Sequence, residues 1–165
     1  MRIQTRQVGV ERFSLTSARS FEEVVAGLER EIGHPDIAAF SKRIAEAQNL
    51  AELESAVQEA IGSSGLMEFV RFDIGAVLQK EQGDKARKSV RLVAGNPLTM
   101  KEMAKHVPDA ASYAPVTILI DERADGVHLS YDRMASFLSP YGSAEALQVA
   151  RDLDAKIESL LTKVA

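Results

Sequence analysis

Apolar positions along this chain switch between strict alternation and a spacing of three to four, the signatures of half-buried strands and one-sided helices. Val8, Val10, Phe13 and Leu15 predict a first strand within residues 7–16. The two pairs fall on opposite alternations, so a β-bulge is expected near Glu11 and Arg12. Ser20 with Glu23 is a capping-box pattern, and Phe21, Val24, Val25, Leu28 and Ile32 then share one helical face, with Gly33 in the C-cap position. His34-Pro35-Asp36 breaks the chain. Ile37, Phe40 and Ile44 predict a short second helix. Asn49 with Glu52, followed by Leu50, Leu53, Val57 and Ile61, predicts a third that Gly62 ends. Residues 34–62 therefore read as a helical hairpin inserted between the first helix and the rest of a sheet.

Residues 66–73 predict a strand with apolar side chains on both faces, hence a central one. A charged loop is expected next, then a strand over 90–94. Gly95-Asn96-Pro97 turns the chain into a short helix over 98–107, with Asn96 as its cap and Pro97 in its first turn. Residues 116–121 and 127–131 read as strands joined by the Asp125-Gly126 turn signal, and Asp132 is placed to cap a short helix ending at Leu138. From Ser143 onward Ala146, Ala150, Leu153, Ile157, Leu160 and Val164 keep to one face. A helix of about 20 residues spans about 30 Å, more than a small sheet needs, so part of it is expected to pack against a second subunit. The order β-α-(αα)-β-β-α-β-β-α predicts an α+β fold: one antiparallel or mixed sheet of about five strands, helices mainly on one face, and a long C-terminal helix.

Composition narrows the function. With 165 residues, 45% hydrophobic and 27% charged, the chain suits a single globular domain over 1–165. A net charge of −4 and an aromatic content of 5% without tryptophan argue against a nucleic-acid partner. Absence of cysteine removes disulfides, thiolate nucleophiles and cysteine-ligated metals. The opening MRIQTRQVGV has no apolar run, and no stretch of about 18 apolar residues occurs. A cytoplasmic protein without a membrane span is expected.

Candidate chemistry is sparse. The three histidines, His34, His106 and His128, show no metal-ligand spacing, so neither a metal nor a cofactor is expected. Arg71 lies on a strand, Arg91 on the next, and His128 and Ser130 on the last hairpin. If these faces coincide, they form a ligand-binding surface for a small anionic or amphipathic molecule. The plain alternative is a solvated or ion-paired sheet face. The loop at 80–91, with five cations against two carboxylates, could meet a phosphate-rich partner or simply be solvated. Gly95-Asn96-Pro97 could present helix amides to an anion, or be a tight turn with a cap. His128 or Asp132 could serve an enzyme as a base, but without a nucleophile elbow no catalytic residue is assigned. A third alternative is an interaction module working through 34–62 and the last helix.

The passages RFDIGAVL at 71–78, RLVAGNPLTMKEM at 91–103, YAPVTILIDE at 113–122 and GVHLSYDRMASFL at 126–138 resemble, in order, the bacterial domain of unknown function 302. With 7–32, the resemblance covers most of the chain outside 34–62. It implies a single-copy α+β architecture similar to that of the TATA-binding protein, and pairing into a homodimer. It implies no DNA binding, since fold does not carry function, and it brings no catalytic residues.

Overall fold

In the computed structural model, which describes residue 1 and residues 3–165, five strands hydrogen-bond into one antiparallel sheet. They are β1 (Arg12–Ser17), β2 (Met67–Asp73), β3 (Ser89–Gly95), β4 (Val116–Arg123) and β5 (Gly126–Asp132), in the spatial order β1-β5-β4-β3-β2. The helices are α1 (Phe21–Glu31), α2 (Ile37–Glu46), α3 (Leu50–Ala60), α4 (Ile74–Gln82), α5 (Pro97–Ala104), α6 (Met134–Leu138) and α7 (Ala144–Val164). The α+β class, the element order and the long last helix agree with the sequence reading.

Alternation along the strands divides the sheet into two faces. Val90, Leu92, Ile118, Ile120, Leu129 and Tyr131 are buried against Val24, Leu28, Met103, Ile157 and Leu161 of the helices. Their neighbours Arg91, Thr117 and Ser14 point the other way and are exposed. A second, smaller cluster of Phe40, Val57, Ala60 and Met67 seats the α2–α3 hairpin at the β2 end of the sheet.

Four local expectations change. The first strand begins at Arg12, so Val8 and Val10 lie before it and no bulge is needed; the irregularity falls in β2, between Glu68 and Val70. Strand β2 is an edge strand, not a central one, and its apolar Val70 and Phe72 stay exposed. The charged loop after it begins with α4, because the Asp73 side chain accepts from Ala76 N–H at 2.8 Å and caps a run of good helix formers. Gly33 and Gly62 do not end their helices in a left-handed conformation. They sit back to back, both donating N–H to Leu66 O at 2.9 Å. A Cβ on Gly33 would lie 2.0 Å from Ala60 O.

The apolar stripe of the long helix packs inside the chain: Ala146, Ala150, Leu153, Ile157, Leu160, Leu161 and Val164 of α7 are all buried in its own core. Asp132 does not cap α6, because Arg12 holds it on β5. The cap comes from Asp154 on α7, whose buried carboxylate accepts from Met134 N–H at 2.7 Å, Ala135 N–H at 3.0 Å and the Tyr131 hydroxyl at 2.6 Å. Burial, then the bond to Asp154, pushes the Tyr131 phenol far above its usual range.

Removing the Asp154 carboxylate takes an acceptor from the Tyr131 hydroxyl, from Ala135 N–H and from Met134 N–H, which keeps only the Tyr131 hydroxyl oxygen at 3.1 Å. Asp154→Ala is therefore expected to cost about 2 kcal/mol or more, read as a lower urea midpoint, and an unchanged midpoint would contradict this. A second test concerns the α2–α3 hairpin. Two hydrogen bonds from Arg43, at 2.5 and 2.7 Å, with a weaker contribution from Ser55, bring the Glu59 carboxyl from 4.5 down to about 2. The unfolded chain takes up this proton first, so the contribution is complete above the ordinary value and fades as pH falls toward about 2. The stability difference between wild type and Glu59→Gln should shrink over that window, and a constant difference would refute it.

Candidate functional site

Strand register assigns the uncovered face residue by residue. Phe72 stands opposite Arg91, Arg91 opposite Leu119, Leu119 opposite Ser130 and Ser130 opposite Ser14, one row across all five strands. Two positions along, Val93, Thr117, Asp132 and Arg12 share that side. Above these rows lies a hollow of about 510 Å³. Arg12, Arg91, Val93, Thr117, Leu119, Ser130 and Asp132 line its sheet side, and residues 112–116 with Met134 and Phe137 close one flank.

The two arginines of the hollow differ in what they face. Arg12 is neutralised by Asp132 through paired bonds of 2.6 and 2.9 Å. Arg91 makes no ion pair among the described residues. It donates weakly to Thr117 Oγ1 at 3.4 Å and lies 5.6 Å over the Phe72 ring. The flank is aromatic: Tyr113 stacks on Phe137 with ring centroids 4.9 Å apart, and its hydroxyl is 2.8 Å from that of Tyr141. That hydrogen bond, with desolvation second, raises the Tyr141 phenol. Arg6 caps the cluster, 4.1 Å over the Tyr141 ring.

The profile of the family described as Domain of unknown function DUF302 matches residues 40–164. The chain belongs to the DUF302 family. A search of curated protein sequences found no match. Among solved structures, an uncharacterized conserved DUF302 protein from Bacillus stearothermophilus is similar at 12% identity, over 93% of this chain and 98% of that chain, with a TM-score of 0.64. At that identity the likeness shows the fold. The family match includes most of α2 and all of α3 and leaves out β1 and α1.

Within this DUF302 fold the four residues singled out from the sequence do not converge. Arg91 and Ser130 line the hollow. His128 is on the same face but outside the hollow, its Nε2 2.8 Å from Asp125 and its Nδ1 3.5 Å from Thr16 Oγ1. Contact with His128 is the main reason the Asp125 carboxyl sits below its usual range. Arg71 is on the opposite face, because it pairs in register with Leu92 whereas Phe72 pairs with Arg91. There it ties β2 to α1, with Glu68 at 2.8 Å and Glu29 at 2.6 Å, and Glu68 foremost raises its pKa.

Other members of the hollow carried weaker sequence signals. Thr117 follows from the register of the Asp125-Gly126 hairpin, while Arg12 was hidden by the early placement of the first strand. Tyr113 and Phe137 are 24 residues apart and meet only through the packing of α6, which no local pattern encodes. Among the described residues no group of three or more His, Cys, Asp or Glu is arranged to hold a metal ion. No described helix is long and apolar enough to cross a membrane.

Proposed function

We propose that this protein is a homodimer that binds a small anionic or amphipathic molecule in the hollow on its open sheet face. The observation that carries this reading is Arg91: a guanidinium without a carboxylate partner among the described residues, beside the Thr117 hydroxyl and in the same hollow as Ser130. A carboxylate or phosphate there would take up the fork of donors that the protein leaves unused. Leu119, Val93 and the Tyr113–Phe137 stack supply apolar area beside it.

The alternative of an enzyme using His128 or Asp132 draws less support. Asp132 is committed to Arg12, and His128 faces Asp125 away from the hollow. Support for the dimer comes from β2, whose place at the edge of the sheet leaves Val70 and Phe72 39% and 44% exposed. Exposed apolar edge strands favour pairing with another chain.

Isothermal titration with acetate, benzoate and inorganic phosphate tests the site. At least one should bind, and Arg91→Ala should weaken it about 10- to 100-fold, as expected for a charged hydrogen bond. Arg71→Ala should leave binding unchanged, since its charge is already matched by Glu68 and Glu29. Equal loss in both variants, or no binding at all, would overturn the assignment. Sedimentation tests the dimer: wild type should sediment as a dimer and Phe72→Glu as a monomer. A monomeric wild type at micromolar concentration would contradict it.

A further inference from the structure

The hollow, which holds both charged and apolar groups, has a smaller and more apolar neighbour. Ala114, Pro115 and Val116 line the hollow on one side and a slot of about 140 Å³ on the other. The slot is otherwise walled by Phe69, Met100, Met103 and Leu153, at the corner where β3 turns into α5. Gly95 lies at this corner. A Cβ there would sit 3.1 Å from Pro115 Cβ and 3.7 Å from Phe69 Cε2, so the glycine keeps space between them. Pro115, the ridge between the two cavities, is exposed, so a flexible chain can cross it from the solvent side.

We infer that hollow and slot form one two-part site for an amphipathic carboxylate, its charged head on Arg91 and its apolar tail in the slot. This rests on the reading of Arg91 given above and extends it to the ligand's chemical class. Three observations carry the extension. The cavities adjoin, with Ala114, Pro115 and Val116 lining both and the exposed Pro115 as the ridge a ligand would cross. Their chemistry differs: the hollow mixes hydroxyls and the Arg91 guanidinium with apolar groups, whereas the slot is walled mainly by methionine, phenylalanine and leucine. The slot is the right size: apolar cavities of about 150 Å³ accept a benzene-sized group, and methionine side chains adapt to what enters.

Length follows from the strand. Arg91 and Gly95 are four residues apart on β3, about 13 Å at the usual rise, which a saturated chain of about ten carbons spans. A six-carbon acid held at Arg91 is expected to leave most of the slot unfilled. Decanoate reaches both, and each methylene it buries should tighten binding about fourfold.

The test is titration of the full-length protein with hexanoate and decanoate. Decanoate should bind at least tenfold tighter than hexanoate. Thr99→Phe, which fills the slot from α5, should erase that gain while leaving hexanoate binding as it was. Met100→Trp provides a second way to fill it should the first variant fold poorly. If hexanoate binds through Arg91 but decanoate gains nothing, or keeps its gain in the filled variants, the two-part site is overturned and the Arg91 reading stands. If neither acid responds to Arg91→Ala, the Arg91 reading falls and the two-part site falls with it.

Discussion

A buried carboxylate holds the two layers of this protein in register. Asp154 sits on the inner side of α7 and accepts hydrogen bonds from Tyr131 at the end of β5 and from the first two amides of α6. A charge in that position is tolerable only with such a full set of donors. The consequence reaches the opposite side of the sheet. Helix α6 carries Phe137, which stacks on Tyr113 and forms the aromatic flank of the open-face hollow. The polar tie in the core and the shape of the candidate site are thus one continuous piece of structure.

The second organising constraint is parity. In an antiparallel sheet covered on one face only, each residue's side is set by its partner, and a shift of one position sends a side chain to the other environment. Arg71 and Arg91 illustrate this. Both lie on strands among apolar residues, yet one meets two glutamates on the helix side and the other faces the open hollow. The first arginine is a clamp between β2 and α1. The second has unused donors, which is why the proposed anion site is placed there.

Elements with strong local signals were legible in the sequence. The Ser20–Glu23 capping box, the Asn96-Pro97 helix start, the Asp125-Gly126 hairpin and the apolar stripe of α7 all lie where spacing and cap chemistry place them. Features set by tertiary context were not. Val70 and Phe72 look like core residues but lie on an edge strand. Helix α4 buries only Gly75, so it has no apolar stripe to announce it. Asp132 has the right residue type for a cap, yet a bidentate arginine from β1 competes for it and a distant aspartate takes over the role. Two residues of the candidate site, Arg91 and Ser130, could be named from strand positions, whereas the aromatic flank depends on packing between residues far apart in sequence.

Arginine side-chain NMR tests the central claim most directly, because it separates the two guanidiniums in one titration. With decanoate added to the full-length protein, the Nε–H signal of Arg91 is expected to shift and saturate while that of Arg71, held by Glu68 and Glu29, stays in place. An unmoved Arg91, or an Arg71 that moves in its stead, would contradict an anion site on the open face of the sheet.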